Sequence, residues 1–159
     1  MEEQNKPPAS SADRQDTKYK IQLPRPMIHT KDYDFSFSGL KTAVLYDYQK
    51  RTEEQRKSEE YVQSMAAEIQ QAIIDVLVHK TIKAAKEYGA ETLILGGGVA
   101  ANQELRKQLA EKIHIIAPPS NLSTDNGLMI ALAGYVKMIH NNISSLEGPI
   151  EAKPNLRLD

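Results

Sequence analysis

The apolar positions divide the chain into segments with different periods. Residues 33–37 alternate, Tyr33, Phe35 and Phe37 on one side and Asp34 and Ser36 on the other, which predicts a half-buried strand. Ser38 stands where an N-cap would sit for a helix over residues 39–50. Val62, Met65, Ala66, Ile69, Ile73, Val76, Leu77 and Ala84 keep helical spacing, so one long helix is expected over residues 61–88. Ser58 with Glu59 and Glu60 marks its start, and Gly89 takes the C′ position. The apolar runs 92–95 and 113–117 predict two buried, neighbouring strands. Leu105 and Leu109 give the inner face of a helix between them. After Pro118 and Pro119, the residues Leu128, Ile130, Leu132, Val136 and Ile139 mark a last helix starting near Asp125 or Asn126.

Two stretches read as connections: the extended 23–26, with prolines at 24 and 26, and the charged 49–57. The order β, α, long α, β, α, β, α predicts an α/β domain whose strands are covered by helices. Residues 1–18, polar with Pro7 and Pro8, read as a disordered or linker segment. Residues 19–141 form the folded part, and 142–159 a mostly irregular tail.

Composition narrows the chemistry. A chain of 159 residues with 40% hydrophobic content suits one core, and a net charge of −1 argues against a generic polyanion binder. With no cysteine, disulfides and thiolate metal sites within this chain are excluded. The sequence has no secretory signal and no membrane-length apolar run, so a cytoplasmic location without membrane contact is expected.

The most informative segment is the apolar run 92–95 followed by Gly96, Gly97 and Gly98. Three missing Cβ atoms allow backbone N–H groups to approach a phosphate or ribose, and a helix N-terminus opens from Ala100. Asn102 falls in the first turn, within reach of whatever occupies the loop. Tight strand-to-helix packing selects glycine too, and the dinucleotide register G-x-G-x-x-G is not met. Ser36, Ser38, Lys41 and Thr42 surround a strand-to-helix junction that is either a second phosphate cradle or a set of structural serine caps. Ser123, Thr124, Asp125 and Asn126 precede the last helix; Asp125 is either a cap or one ligand of a metal that needs others. His29, His79, His114 and His140 contain no i, i+4 pair, and no residue stands out as a nucleophile or general base.

Four motifs in order carry a resemblance: 23–27 (Leu-Pro-Arg-Pro-Met), 34–42 (Asp-Phe-Ser-Phe-Ser-Gly-Leu-Lys-Thr), 96–102 with Leu105 and Arg106, and 123–131. Together they resemble the C-terminal half of the tRNA N6-adenosine threonylcarbamoyltransferase family. The resemblance implies one lobe of an actin-like, sugar-kinase-like ATPase fold, in which a ligand cleft lies between two related α/β lobes. It implies transfer of threonylcarbamoyl from threonylcarbamoyl-AMP to N6 of adenosine 37, in tRNAs reading codons that begin with A. By the same resemblance Asn102, Gly97 and Gly98 would bind substrate, and Asp125 would ligate iron or zinc. An H-x-x-x-H pair in the N-terminal lobe would supply the other ligands. Ser123 stands where the family often has cysteine, and Gly127 and Leu128 where two small residues are common.

The expected partners are that N-terminal lobe, the adenylate, tRNA and accessory proteins of the threonylcarbamoyladenosine pathway, and the chain is expected to be inactive without the lobe. Two other readings are a further carbamoyltransferase or sugar-kinase-like member of the superfold, and a nucleotide-binding or interaction module without catalysis. Arg25, Lys31, Lys50, Arg51, Arg56 and Lys57 are candidate phosphate contacts or a solvated face.

Overall fold

The computed structural model describes residues 19–124 and 127–140. The expectations for 1–18 and 142–159 lie outside these residues. The helices are α1 (Ser38–Lys50), α2 (Glu53–Lys57), α3 (Glu59–Glu87), α4 (Gln103–Ala110) and α5 (Gly127–His140). The strands are β1 (Thr92–Ile94) and β2 (His114–Ile116), and 3-10 turns occupy Gly98–Ala101 and Ser120–Leu122. The domain is therefore α/β, mostly helical, with a small parallel sheet.

Helix α3 is the spine. Its 29 residues extend about 43 Å at 1.5 Å per residue. Ser58 caps it by accepting from the Tyr61 N–H, and Gly89 leaves it in the left-handed region at φ 64°. Two cores form on this one helix. Around its first half, Tyr61, Met65 and Ala72 pack with Leu23 and Leu40. Around its second half, Ile74 and Val78 pack with Leu105 and Leu109, and with Leu93 and Ile115 from the sheet. Val62, expected on the inner face, is exposed, because the two cores occupy other faces of the helix.

Polar contacts fasten the chain before α1 onto this spine. Arg25 pairs with Glu68 and, at 2.9 Å, with Asp75, while the Leu23 N–H donates to Glu68. Lys80, almost wholly buried, donates to Thr30 Oγ1, Asp32 Oδ1 and the Asp34 carbonyl. This is why residues 33–37 are not a strand as the alternation predicted. No strand among the described residues pairs with them, Phe35 is exposed, and the loop's acceptors turn inward to the Lys80 ammonium. Ser38 is likewise the first residue of α1 and not its cap; Phe37 holds the cap position without a side-chain bond. The charged connection is not wholly irregular: Thr52 and Gln55 form a capping box that starts α2 within it.

The strands are parallel neighbours as expected, Leu93 opposite Ile115, but they are not buried: one face is half-buried and the other exposed. Leu93 and Ile115 meet the second core, whereas Ile94 and Ile116 are exposed. Covering by helices is thus one-sided among the described residues. Every residue of α5 is exposed too, including Leu128, Ile130, Leu132, Val136 and Ile139.

Candidate functional site

At the carboxyl end of β1 the chain leaves the sheet through Gly96 and Gly97, and Gly98 begins the first 3-10 turn. Gly97 has φ 78°, a conformation that L side chains rarely adopt. A Cβ built at Gly96 or Gly97 would meet nothing within 4 Å, so packing among the described residues does not account for the missing side chains. All three glycines are exposed, and their backbone forms an open turn.

Asn102 closes this turn and caps α4. Its Oδ1 accepts from the Leu105 N–H at 2.9 Å, and its Nδ2 donates to Gln70 Oε1 of α3 at 3.2 Å. The residue sits one step earlier than the first-turn position expected. With Gln70 it supplies the polar lining of an otherwise apolar pocket of about 410 Å³, whose walls include Ile69, Ile73, Leu77 and Val99.

A second loop is fastened against the glycine turn. The Arg106 guanidinium donates through Nε to the Ala100 carbonyl and through NH2 to Ser123 Oγ at 2.8 Å. Ser123 is buried, and its hydroxyl donates to the Pro119 carbonyl. Gln103 Nε2 reaches Ser120 Oγ at 2.5 Å, and a methyl added at Gly98 would sit 4.0 Å from Thr124 Cγ2. Two motifs 17 residues apart thereby meet. Sequence reasoning singled out neither Arg106 nor Gln103 as the link; only the proximity of two polar loops at strand ends could have suggested it. Asp125 and Asn126 lie outside the described residues.

The other candidates fall elsewhere. Ser36, Ser38 and Thr42 are at the start of α1, beside the first core, with Ser36 and Ser38 hydroxyls 3.3 Å apart and Thr42 donating to the Ser38 carbonyl. Lys41 is exposed there. Of the six basic candidates, four are engaged within the chain. Arg25 is paired with Glu68 and Asp75, and Arg51 binds Asp47 through both Nε and NH2. Arg56 donates to the Tyr48 and Gln49 carbonyls at the end of α1, and Lys57 pairs with Glu53. Lys31 and Lys50 are exposed. His29 and His79, 50 residues apart, stack edge to face with ring centroids at 5.9 Å. Among the described residues no group of three His, Cys, Asp or Glu side chains is placed to hold a metal. No helix among them is long and apolar enough to cross a membrane.

A parallel strand, an open glycine turn and a capped helix form the α/β unit that places ligands at strand carboxyl ends. Residues 2–132 match the model of the TsaD family, tRNA N6-adenosine threonylcarbamoyltransferase. A protein of that name from Thermosipho africanus is 47% identical over 144 residues, covering 87% of this chain and 42% of the relative. Relatives with the same name from Polynucleobacter asymbioticus and Listeria welshimeri are 44% and 42% identical, covering 83% and 86% of this chain and 40% and 41% of their own lengths. The chain belongs to the TsaD family of transferases. It spans about two fifths of the length of the curated relatives it matches.

Proposed function

We propose that this chain is the C-terminal lobe of a threonylcarbamoyltransferase of actin-like architecture. The intact enzyme moves threonylcarbamoyl from threonylcarbamoyl-AMP to N6 of adenosine 37, in tRNAs that read codons beginning with A. The observation that carries the reading is the junction made by Arg106 and Gln103, which sets the glycine turn against the loop leading to Asp125. Open backbone at Gly96, Gly97 and Gly98, beside the positive end of α4, suits the phosphate and ribose of an adenylate. The pocket beside Asn102 and Gln70 suits a flat apolar group flanked by amide donors and acceptors. The lobe's part is to hold and orient the adenylate, and no general base is assigned.

Asp125 is proposed as one ligand of an iron or zinc ion completed by a histidine pair from an N-terminal lobe. The described residues do not make a metal site by themselves. When bound it would supply Lewis-acid polarisation. The chain works in the cytoplasm with that lobe, with tRNA and with the accessory proteins of the pathway, and without the lobe it is inactive.

The test measures metal content, adenylate affinity and transfer with and without a lobe carrying H-x-x-x-H. The complex should gain metal and activity, and Asp125→Asn should abolish most of both. Asn102→Ala should weaken adenylate binding by about 1–3 kcal/mol if a buried hydrogen bond to the ligand is lost. Asn102→Asp keeps an N-cap but not the amide donor, so it separates capping from binding. Adenylate affinity unchanged in both variants would remove Asn102 from the site.

A further inference from the structure

The turn around residues 25–29, the second half of α3 and the end of α4 enclose an open groove of about 840 Å³, away from the glycine turn. Lys83, Lys86 and Lys112 line it. Its acidic lining is Asp75 alone, already neutralised by Arg25 at 2.9 Å. None of the three lysines forms an ion pair among the described residues, and Lys83 is held only by the Lys31 carbonyl and the Tyr33 ring. In a chain of net charge −1, three uncompensated cations thus share one groove. The paired His29 and His79 rings stand in the same lining and offer π faces and ring nitrogens.

We propose that this groove binds the phosphate backbone of the RNA substrate. Spaced ammonium groups without fixed carboxylate partners exchange counterions for phosphates, and exposed rings stack on bases or riboses. Placement supports the same partner. Helix α4 runs from Asn102 at the glycine turn to the groove at its far end, a span of about 12 Å at 1.5 Å per residue, so an RNA presenting a base at the turn passes the lysines within a few nucleotides. The choice of RNA over other polyanions rests on the transferase reading above.

The experiment titrates the full 159-residue chain into a fluorescein-labelled RNA stem-loop, with an unpaired adenosine in the loop, at several salt concentrations. The triple variant Lys83→Glu, Lys86→Glu, Lys112→Glu should bind at least tenfold more weakly, and the slope of log affinity against log salt should shrink by about 2 to 3 for three lost phosphate contacts. The same lysines changed to Gln should reproduce the reduced slope, which guards against misfolding caused by charge reversal. Lys20→Glu with Lys137→Glu, the same kind of charge change outside the groove, should leave the slope in place. Three results overturn the proposal: no RNA binding by the parent chain, equal slopes for parent and both triple variants, or equal lysine dependence for inorganic pyrophosphate or a polyglutamate peptide. Adenylate affinity is read separately. Its failure with lysine-dependent RNA binding intact overturns the adenylate site, and the reverse result overturns the groove.

Discussion

Helices α3 and α5 are both rich in Leu, Ile, Val and Ala, yet one carries both cores of the described structure and the other has no buried residue. Along α3, Ile74 and Val76 are wholly enclosed, and polar partners reach it from the preceding segments at Arg25 and Asp47 and from α4 at Gln108. Along α5, Ile130 is 76% exposed and no residue is buried. Its apolar side chains encircle the helix, a pattern that belongs to an element buried on all sides. Hydrophobic pattern therefore states that a helix needs partners, while the partners themselves are a property of the rest of the fold. Ile94 and Ile116 repeat the lesson on the sheet, their inner neighbours Leu93 and Ile115 packed and they themselves bare.

Mutations along α3 and α5 test this contrast. Ile74→Ala should cost about 2–5 kcal/mol in urea unfolding, since it empties the second core where relaxation is limited. A loss under about 1 kcal/mol would mean that α3 is not the spine. Arg25→Met removes the cation from Glu68 and Asp75, leaving Glu68 to the Leu23 N–H and Asp75 to the Gln71 amide; with the arginine side chain about a quarter exposed, the expected loss is about 1–3 kcal/mol. Leaving stability intact would show that the 19–30 segment is held without the Arg25 ion pairs, by its apolar residues and the bonds to Glu68 and Lys80.

Acid gives a smaller effect. The hydrogen bonds from Arg51 hold the Asp47 carboxyl below its ordinary value of 3.8, burial opposes them, and the Tyr61 hydroxyl adds to them. The folded pKa is the lower one, so this contribution is complete above the unfolded value and disappears as pH falls through the folded one. It should amount to about 1 kcal/mol or less after solvent screening, and Asp47→Asn should flatten stability between pH 5 and 2 by about that amount. An unchanged profile would dissociate α1 from α3 energetically. Smallest of all, Ile130→Ser in α5 should shift stability by no more than about 0.5 kcal/mol in this chain and raise its solubility. A cost above about 1.5 kcal/mol would mean that α5 is packed in solution.

Local signals carried much of the fold. Ser58 and Gly89 marked the ends of α3, Asn102 lay next to the helix that it caps, and the two strands followed from their apolar runs. The Thr52 and Gln55 capping box that starts α2 is also legible in the sequence, as a Thr followed three residues later by Gln. What could not be read were the contacts between distant residues. Lys80 looks like a surface lysine on a helix until the loop 46 to 50 residues earlier is folded against it. Alternation at 33–37 mimics a strand because period alone says nothing of a pairing partner. At the candidate site, the glycines and Asn102 were visible as residue types, whereas the tie between their turn and Ser123 depends on one arginine reaching across 17 residues.

That arginine has a mechanical consequence. A guanidinium is planar and rigid, so the Ala100 carbonyl and the Ser123 hydroxyl held by two of its nitrogens cannot drift apart without breaking a hydrogen bond. The turn leaving β1 and the loop entering α5 behave as the two jaws of one bracket, and a displacement imposed on one is delivered to the other. Reducing the arginine to a single ammonium, as in Arg106→Lys, would keep the charge but leave the jaws joined by the Gln103–Ser120 bond in place of the rigid fork.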